Sequence, residues 1–593
     1  MFSLQNLVFP DPELGFNEQL YFRHVSGDKT DATFNAYAVP KDASIAFDSY
    51  FNLFDLARWQ HVCDLHNFSA RLVGQGQFVV QFKLAASHQS VPLVIADFSG
   101  DFSKDREIQI EFNLPSSCVK GGVIYAEFKA LSENAEIRQL SYQTSTPPLR
   151  WPQMALAITT FLREQAVTST IERLENFIRN WEFGRHLSLQ VVDNGNSLHS
   201  VCAENLRIFS NPNYGGAGGF ARNLIEARNV DASHCLFMDD DASCHPESIA
   251  RAYMLLAYAI SEHTAVAGAM IDTAHPWKMW ENGATFDGTC SPLHNGVDLR
   301  KSGELQQMLA LSLPRKDQEI YGAWWFFAFP ISVVKHYPFP FFVRGDDVNF
   351  SLSNPFEVQT LSGVASLQED FAQKESAFTL YLDMRHPLVT HMSLPRIQKS
   401  ALSMIWMAVR PILRSMLRLQ YAAADMQLLA WRDVMKGPDF FVANLDMSSR
   451  RALISSLAAS ERWQNTPVNS ACSAPKPKKR AQFFWRAIGA ATLNGHMLPL
   501  WNKMAPHLQL SLSERGRLSN LLGAGNITYA THDGAAHMAL SHSKKRFWRT
   551  SLGLLITSLK FLLRYRSIRK SYANAFAEMT AAEFWEGYLG LPK

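Results

Sequence analysis

Between residues 154 and 271 the chain alternates compact apolar runs with amphipathic stretches, and this grammar restricts the fold more than any single residue does. The runs 154–160, 187–192, 206–209, 235–238 and 265–271 are dense in Ala, Val, Leu, Ile and Phe. Between them, Ile171, Leu174 and Ile178 fall on one helical face, and 218–229 and 246–260 read as further helices. Runs this apolar need cover on both faces, and strands alternating with helices specify a mostly parallel α/β sheet.

The flanks follow other rules. Residues 1–150 hold short alternating segments: Phe78, Val80, Phe82 and Leu84 sit at period two, as do Ile108, Ile110 and Phe112, with turns expected at Gly74 to Gly76 and Gly121 to Gly122. This predicts an N-terminal β-sandwich. After 396 strand signals fade, long helical patterns follow, and 473–480 reads as a basic, proline-containing linker. The expected organisation is therefore a β-sandwich over 1–150, an α/β domain over 151–395 and a mostly helical region over 396–593.

Composition excludes several classes. At 593 residues, 47% hydrophobic and 19% charged, the chain is neither disordered nor fibrous. A net charge of +3 gives no global reason to expect nucleic acid, and no recognition motif accompanies the local basic runs. Seven scattered cysteines without a C-x-x-C pair suggest a reduced, cytosolic protein with no zinc module. The N-terminus lacks the basic and apolar segments of a secretory signal, and no uninterrupted apolar run reaches bilayer-spanning length.

Three motifs carry chemistry. Asp239, Asp240 and Asp241 emerge where the run 235–238 ends. Carboxyl ends of strands are where open α/β sheets bind ligands, and crowded carboxylates suit Mg²⁺ or Mn²⁺; alone, the tripeptide also fits a solvated turn. Asp346 and Asp347 form a second pair after another apolar run, matching a division between holding a metal and removing a proton, or else capping a helix. The segment 211–222, Asn-Pro-Asn-Tyr-Gly-Gly-Ala-Gly-Gly-Phe-Ala-Arg, permits close backbone approach at a helix start, where free N–H groups favour a pyrophosphate. It is neither a dinucleotide fingerprint nor a Walker loop.

The ordered set Ile158-Thr-Thr-Phe-Leu-Arg163, Asp193-Asn-Gly195, Asn213-Tyr-Gly-Gly-Ala-Gly-Gly219, Asp239-Asp-Asp241, Trp324-Trp325 and Asp346-Asp347 resembles a GT-A (Rossmann-like), family 2 inverting glycosyltransferase. More narrowly it is similar to the polymerising UDP-galactofuranose transferases that build galactan. The resemblance extends to Tyr50-Phe-Asn-Leu-Phe54 with Trp59 in the sandwich, and to Leu419-Gln-Tyr421 and Lys436-Gly-Pro438 in the helical region.

By that resemblance, Thr160, Phe161 and Arg163, with Asn194, Asn213 and Asp240, bind the nucleotide end of a UDP-sugar. Asp239 and Asp241 hold Mn²⁺ or Mg²⁺ against its pyrophosphate. Asp347 is the general base and Asp346 orients it. Trp324, Trp325 and Glu281 meet the acceptor, although aromatic pairs in apolar runs also serve as core. One position departs from the family pattern: Gln368 stands where members place a metal-binding histidine, and its amide oxygen is a weaker ligand than imidazole. Glu369 and His391 are the other candidates nearby.

Lys544 to Lys570 contains nine basic residues and no acidic one, with Trp548, Leu552, Leu555, Leu559 and Leu562 at helical spacing. Such a helix suits an anionic membrane surface, as does 396–418, which Pro411 should kink. Packing against the catalytic domain is the competing use. The chain is thus expected to be a cytoplasmic enzyme peripheral to the inner face of the cell membrane. Its partners would be a nucleotide sugar and a glycan or lipid-linked glycan acceptor, without nucleic acid, and the sandwich would bind glycan or form a homo-oligomer surface. A rhamnosyl or galactopyranosyl donor, or a catalytically silent glycan-binding protein, are the alternatives.

Overall fold

A computed structural model describes residues 1–591 except 15–16, 34, 87–90, 103–106, 115–120, 199–204, 242, 316–317, 370–374, 465–478, 512–513, 516–517 and 532–534. Most of the expected linker, and Cys118, Cys202 and Cys472, lie outside the described residues.

The N-terminal domain is a curled antiparallel sheet, ten-stranded among the described residues, organised by one long strand, Phe68–Ala85 (β1). Its first half pairs with Ala135–Thr144 and Ile108–Glu111, its second with Val123–Ala130 and Leu93–Phe102. Phe78, Val80, Phe82 and Leu84 all point into the core, as their alternation requires. The expected turn at Gly74 to Gly76 is instead the middle of this strand. A side chain at Gly74 would meet the Glu136 carbonyl at 2.4 Å and Gly76 takes φ +87, so these glycines let the strand bend from one layer into the other.

The α/β domain supplies Met154–Thr160 (β2), Leu187–Asp193 (β3), Leu206–Ser210 (β4), His234–Asp239 (β5), Thr264–Ala267 (β6), Ala269–Asp272 (β7), Met279–Glu281 (β8), Phe327–Pro330 (β9), Glu357–Gln359 (β10) and Ala365–Gln368 (β11). The main sheet runs β4-β3-β2-β5-β9-β6-β10, parallel except for β9. Strand order reverses beside β2, which opens a crevice at the carboxyl ends of β2 and β5. Thr159 is opposite Asp239 there, and Thr160 opposite Asp193.

The expected run 265–271 is two strands in two sheets. The chain bends at Gly268, where a Cβ would lie 2.7 Å from Phe326 Cβ, and β7 then pairs with β8 and β11. Helices Glu164–Asn180 (α1), Gly215–Arg228 (α2) and Pro246–Tyr258 (α3) cover the sheet, and α1 buries Ile171, Leu174 and Ile178 as read from the sequence. Two buried arginines lock this domain to the first. Arg251 donates to Asn6 and Phe51 carbonyls at 2.9 and 2.8 Å, and Arg58 donates to Gln359 Oε1 at 2.9 Å.

Asp346–Ser353 (α4) and Ala377–Ser393 (α5) close the domain, and Ala401–Leu417 (α6), Tyr421–Val434 (α7) and the 36-residue Lys544–Met579 (α8) dominate the C-terminal region. Helix α6 continues through Pro411. The region is not purely helical: His507–Ser511, Asn526–Ala530 and His537–Ser541 form a small sheet. Each is only five residues long, too short for alternation to stand out against helical neighbours. No helix among the described residues is long and apolar enough to cross a membrane.

Candidate active site

Thr160, Phe161, Arg163, Asn194, Asn213, Asp239, Asp240, Asp241, Glu281, Trp324, Trp325, Asp346, Asp347 and Gln368 all line one cavity of about 1680 Å³ at the carboxyl ends of β2 and β5. At its donor end Thr160 Oγ1 donates to Asp240 Oδ2 at 2.8 Å, and Arg163 reaches Asp240 at 3.0 Å and Asp241 at 2.7 Å. Burial raises the Asp240 pKa and Arg163 opposes the rise. Asp240 lines the cavity with its two oxygens engaged by Thr160 and Arg163. Leu162, at φ +53, turns the backbone so that Phe161 stands half-open at the rim.

The Asp193-Asn194-Gly195 turn is self-tied: Asp193 accepts from the N–H groups of Gly195, Ser197 and Leu198 at 2.8, 2.6 and 2.9 Å. Asn194 donates to the Gly215 carbonyl at 3.1 Å, and Asn213 accepts from Gly215 N–H at 3.1 Å. Both asparagines thus fix the start of α2 while lining the cavity.

The glycines of α2 serve close packing as well as ligand approach. Gly219 leaves no room for a side chain against Thr159, 2.2 Å away, and Gly215 lies against the Phe342 carbonyl. A Cβ at Gly216 would come within 3.0 Å of Asp346 Oδ2. The first turn is partly committed too, since Ala217 N–H donates to Phe342 O at 3.0 Å.

That contact brings the second acidic pair to the first. Asp346 and Asp347 open α4, whose positive N-terminal end favours them. Phe342, Arg344 and Gly345 before them take φ values of 77, 73 and 85, a costly backbone held by its surroundings. Burial drives the Asp346 pKa far up, and Asp347 and then Asp239 add to the rise, so carboxylates from two distant segments share one field. Burial also raises Asp347, opposed by Val348 N–H, which it accepts at 2.8 Å, and by Arg344. Glu281, at the end of β8, is buried beside Asp347; burial first, and that charge second, push its pKa up to about 8. It holds its proton at neutral pH.

Trp324 packs among Phe220, Phe237 and Phe350 with centroids 4.7–5.9 Å apart, and its buried indole N–H has no partner among the described residues. Trp325 donates to Gly268 O at 2.9 Å. Each is largely core while lining the cavity. His391 is set apart from the cavity, bonded to the Ile397 carbonyl and stacked on Phe286, and Glu369 does not line it either.

Gln368, at the end of β11, is 6% exposed, lines the cavity and carries an Nε2 without a partner among the described residues. No group of three or more His, Cys, Asp or Glu among the described residues has metal-binding geometry. The donor set still fits Mg²⁺ or Mn²⁺, which take one or two carboxylates and complete their shell with substrate phosphates and water. Asp239 and Asp241 would provide the carboxylates, and the Gln368 amide, whose oxygen and nitrogen are interchangeable by a flip, would add its oxygen.

The sequence reading missed the far wall: Arg344, Asp383, Lys399, Trp406, Arg410, Arg414 and Arg451. Only the basic character of 396–418 signalled it, and that pointed to a membrane rather than to a cavity.

No family model matches the chain. It is similar to galactofuranosyltransferase GlfT2 of Mycolicibacterium smegmatis, at 23% identity over 589 residues covering 92% of this chain and 89% of that one. GlfT2 of Mycobacterium tuberculosis is 22% identical over 596 residues, covering 92% and 90%. Among solved structures, mannosyl-3-phosphoglycerate synthase from Rubrobacter xylanophilus overlaps 40% of this chain and 73% of its own at 12% identity, with a TM-score of 0.26, too slight to support an argument. The central domain is a mixed α/β, Rossmann-like fold, and the chain is distantly similar to GlfT2-type proteins over most of its length.

Proposed function

We propose that the chain is an inverting glycosyltransferase that moves a sugar from a UDP-sugar, UDP-galactofuranose by its likeness to GlfT2, onto a hydroxyl of a growing cell-surface glycan. The observation that carries this is the meeting of Asp239–Asp241 with Asp346–Asp347 across one crevice at the strand-order reversal.

Thr160, Phe161 and Arg163 receive the nucleotide end, with Asn194 and Asn213 setting the adjoining wall. Asp239, Asp241 and Gln368 hold the divalent cation, which neutralises charge on departing UDP. Asp347 takes the acceptor hydroxyl proton, its raised pKa matching it to a base working near neutrality. Asp346, whose protonated form burial and the Asp347 charge favour, orients that carboxylate. Glu281, protonated, donates a hydrogen bond to the acceptor sugar, whose ring lies against Trp324 and Trp325. An inverting displacement needs one base opposite the leaving group and no covalent nucleophile.

On this reading residues 1–150 hold the glycan or a second copy of the chain, 151–395 carry out transfer, and 396–593 meet the inner face of the cell membrane. Helix α8 supports the last assignment. It buries Leu554, Phe561, Tyr565 and Tyr572 and leaves Trp548, Leu552, Leu555, Leu559 and Leu563 exposed beside its cations. Incubation with a panel of UDP-sugars, Mn²⁺ and a lipid-linked acceptor, read as UDP release and product mass, tests the whole. Turnover of UDP-rhamnose or UDP-galactopyranose alone would change the sugar, and no turnover with any donor would leave a glycan-binding protein.

A further inference from the structure

One face of α5 shapes the loop that leads to Asp347. Asp383, His386 and Thr390 share that face, at spacings of three and four, and they meet Arg344, Gly345 and Asn349 in the same order. Asp383 Oδ1 lies 3.9 Å from Arg344 Nε, and the His386 ring fills the space that a side chain at Gly345 would need. One turn further on, Asn349 Nδ2 donates to Thr390 Oγ1 at 3.1 Å. Arg385 adds a bond to the Phe341 carbonyl. Together these contacts hold the left-handed backbone at Phe342, Arg344 and Gly345, a conformation that persists only where its surroundings impose it.

Asp383 also brings a charge to the cavity, which it lines together with Arg344. Pro387, one turn on, has no N–H to bond the Asp383 carbonyl, so the helical ladder is interrupted at this residue. Burial raises Asp347 and Asp383 alike, each to about 6, and the same cation, Arg344, opposes both rises. Glu375 and Asp347 add to the Asp383 rise, and Arg385 subtracts from it. The guanidinium is therefore shared between two carboxylates, and its ion pair is with Asp383. Asp347 has no ion pair within 4 Å among the described residues. That division matters for a base. A guanidinium closed on Asp347 would cover the oxygens that must take up a proton, and would lower their proton affinity as well. Held by Asp383, it steadies the Asp347 charge from a distance and leaves an oxygen open.

We propose that Asp383 is a positioning residue: it holds Arg344 off Asp347, so that the base keeps an oxygen free for the acceptor hydroxyl. The role of that oxygen rests on the transferase reading; the restraint of Arg344 does not.

The titratable groups that face Asp347 are Asp346 and Arg344 on its own segment, Glu281 of β8, Cys290 and Tyr321 beside it, and Asp383 of α5. Asp383→Asn keeps the size of the side chain and removes its charge. In the full chain it should lower kcat roughly tenfold with donor KM unchanged, as expected for a base whose pKa falls by about one unit while its oxygen is covered. The acidic limb of the pH–rate profile should move down by about that unit. Asp383→Glu should restore most of the rate, and Arg344→Met alone should move the limb up. In the Arg344→Met background, Asp383→Asn should change kcat less than about twofold, because the cation it restrains is gone. The same loss in that background, or a rise in acceptor KM that persists there, would overturn the proposal by making Asp383 a direct contact of the acceptor. A loss of rate with a lowered Tm and an unmoved acidic limb would also overturn it, by leaving only a structural role. Crystal structures of the parent and of Asp383→Asn read the restraint without turnover. In the variant the Arg344 guanidinium should close on Asp347 to about 3 Å; an unmoved guanidinium would sink the idea. If no UDP-sugar turns over, or Asp347→Asn keeps full activity, the transferase reading fails, and the position of Arg344 still decides what Asp383 does.

Discussion

Gly345→Ala is the sharpest test of how the base is positioned. Gly345 takes φ +85, and a Cβ there would lie 2.0 Å from His386 Cγ, 2.3 Å from its Cβ and 2.4 Å from Nδ1. The left-handed backbone costs an L-residue about 1–2 kcal/mol. Overpacking against a buried neighbour adds about 1–3 kcal/mol, because the core gives way only through backbone shifts. A loss of roughly 2–5 kcal/mol is therefore expected. Truncating His386 to alanine does not relieve it, since the clash with Cβ remains. The strain falls on the residue before Asp346 and Asp347, and a displacement of about 1 Å costs up to roughly a hundredfold in turnover. Urea unfolding and UDP-release kinetics, with Gly303→Ala as the control whose Cβ meets nothing within 4 Å, read both effects. A Gly345→Ala protein as stable and as active as its parent would refute this account of the loop.

Asp347→Asn should lower kcat by about 10²–10⁴ with little change in donor KM, the loss expected for a general base; a matched loss in donor binding would assign it elsewhere. Activity should rise with pH as Asp347 ionises above the usual carboxylate range and fall near pH 8 as Glu281 ionises, so Glu281→Gln should remove the falling limb of the pH–rate profile. Because the folded Glu281 pKa lies above its ordinary 4.5, the folded state gives up stability as pH climbs from 4.5 to about 8; Glu281→Gln should flatten that slope in Tm measured against pH. Gln368→His should lower the Mn²⁺ concentration for half-maximal activity about tenfold, as imidazole replaces an amide oxygen; an unchanged requirement would take Gln368 out of the ligand set. Serine at Trp548, Leu552, Leu555 and Leu559 together should abolish sedimentation with anionic vesicles while Tm holds, since all four are exposed.

The α/β core was legible because buried parallel strands leave dense apolar runs, and the Asp clusters because they sit where those runs stop. What hid was decided by contacts distant in sequence. Gly74 looks like a turn until the Glu136 carbonyl lies against it. Asp240 is indistinguishable by spacing from its two neighbours, yet its oxygens meet Thr160 and Arg163 from segments about eighty residues away. The single antiparallel strand β9 carries an apolar run indistinguishable by pattern from its parallel neighbours, since burial on both faces erases the alternation that would mark direction. Arg410 and Arg414 read as membrane-facing because helical period shows only that they share a face, and whether that face meets a bilayer or a cavity depends on what packs opposite.

Charge gives the divalent cation a reason to be present. Eight carboxyl groups and six Lys or Arg side chains line the cavity among its described residues. Burial favours the protonated forms of Glu281 and Asp346, which brings the lining closer to balance as a whole but not locally. At one end Asp239, Asp240 and Asp241 cluster by Arg163, which pairs with Asp240 and Asp241, while Arg344 serves Asp347 and Asp383, and Arg410 and Arg414 stand at the far wall. A diphosphate entering there meets an excess of negative charge in a partly desolvated site, where repulsion is weakly screened. Arg163 cannot offset it, because Asp240 and Asp241 already hold it. On the proposed reading, the Asp239–Asp241 cluster would therefore take a nucleotide diphosphate together with a divalent cation, which would offset that repulsion.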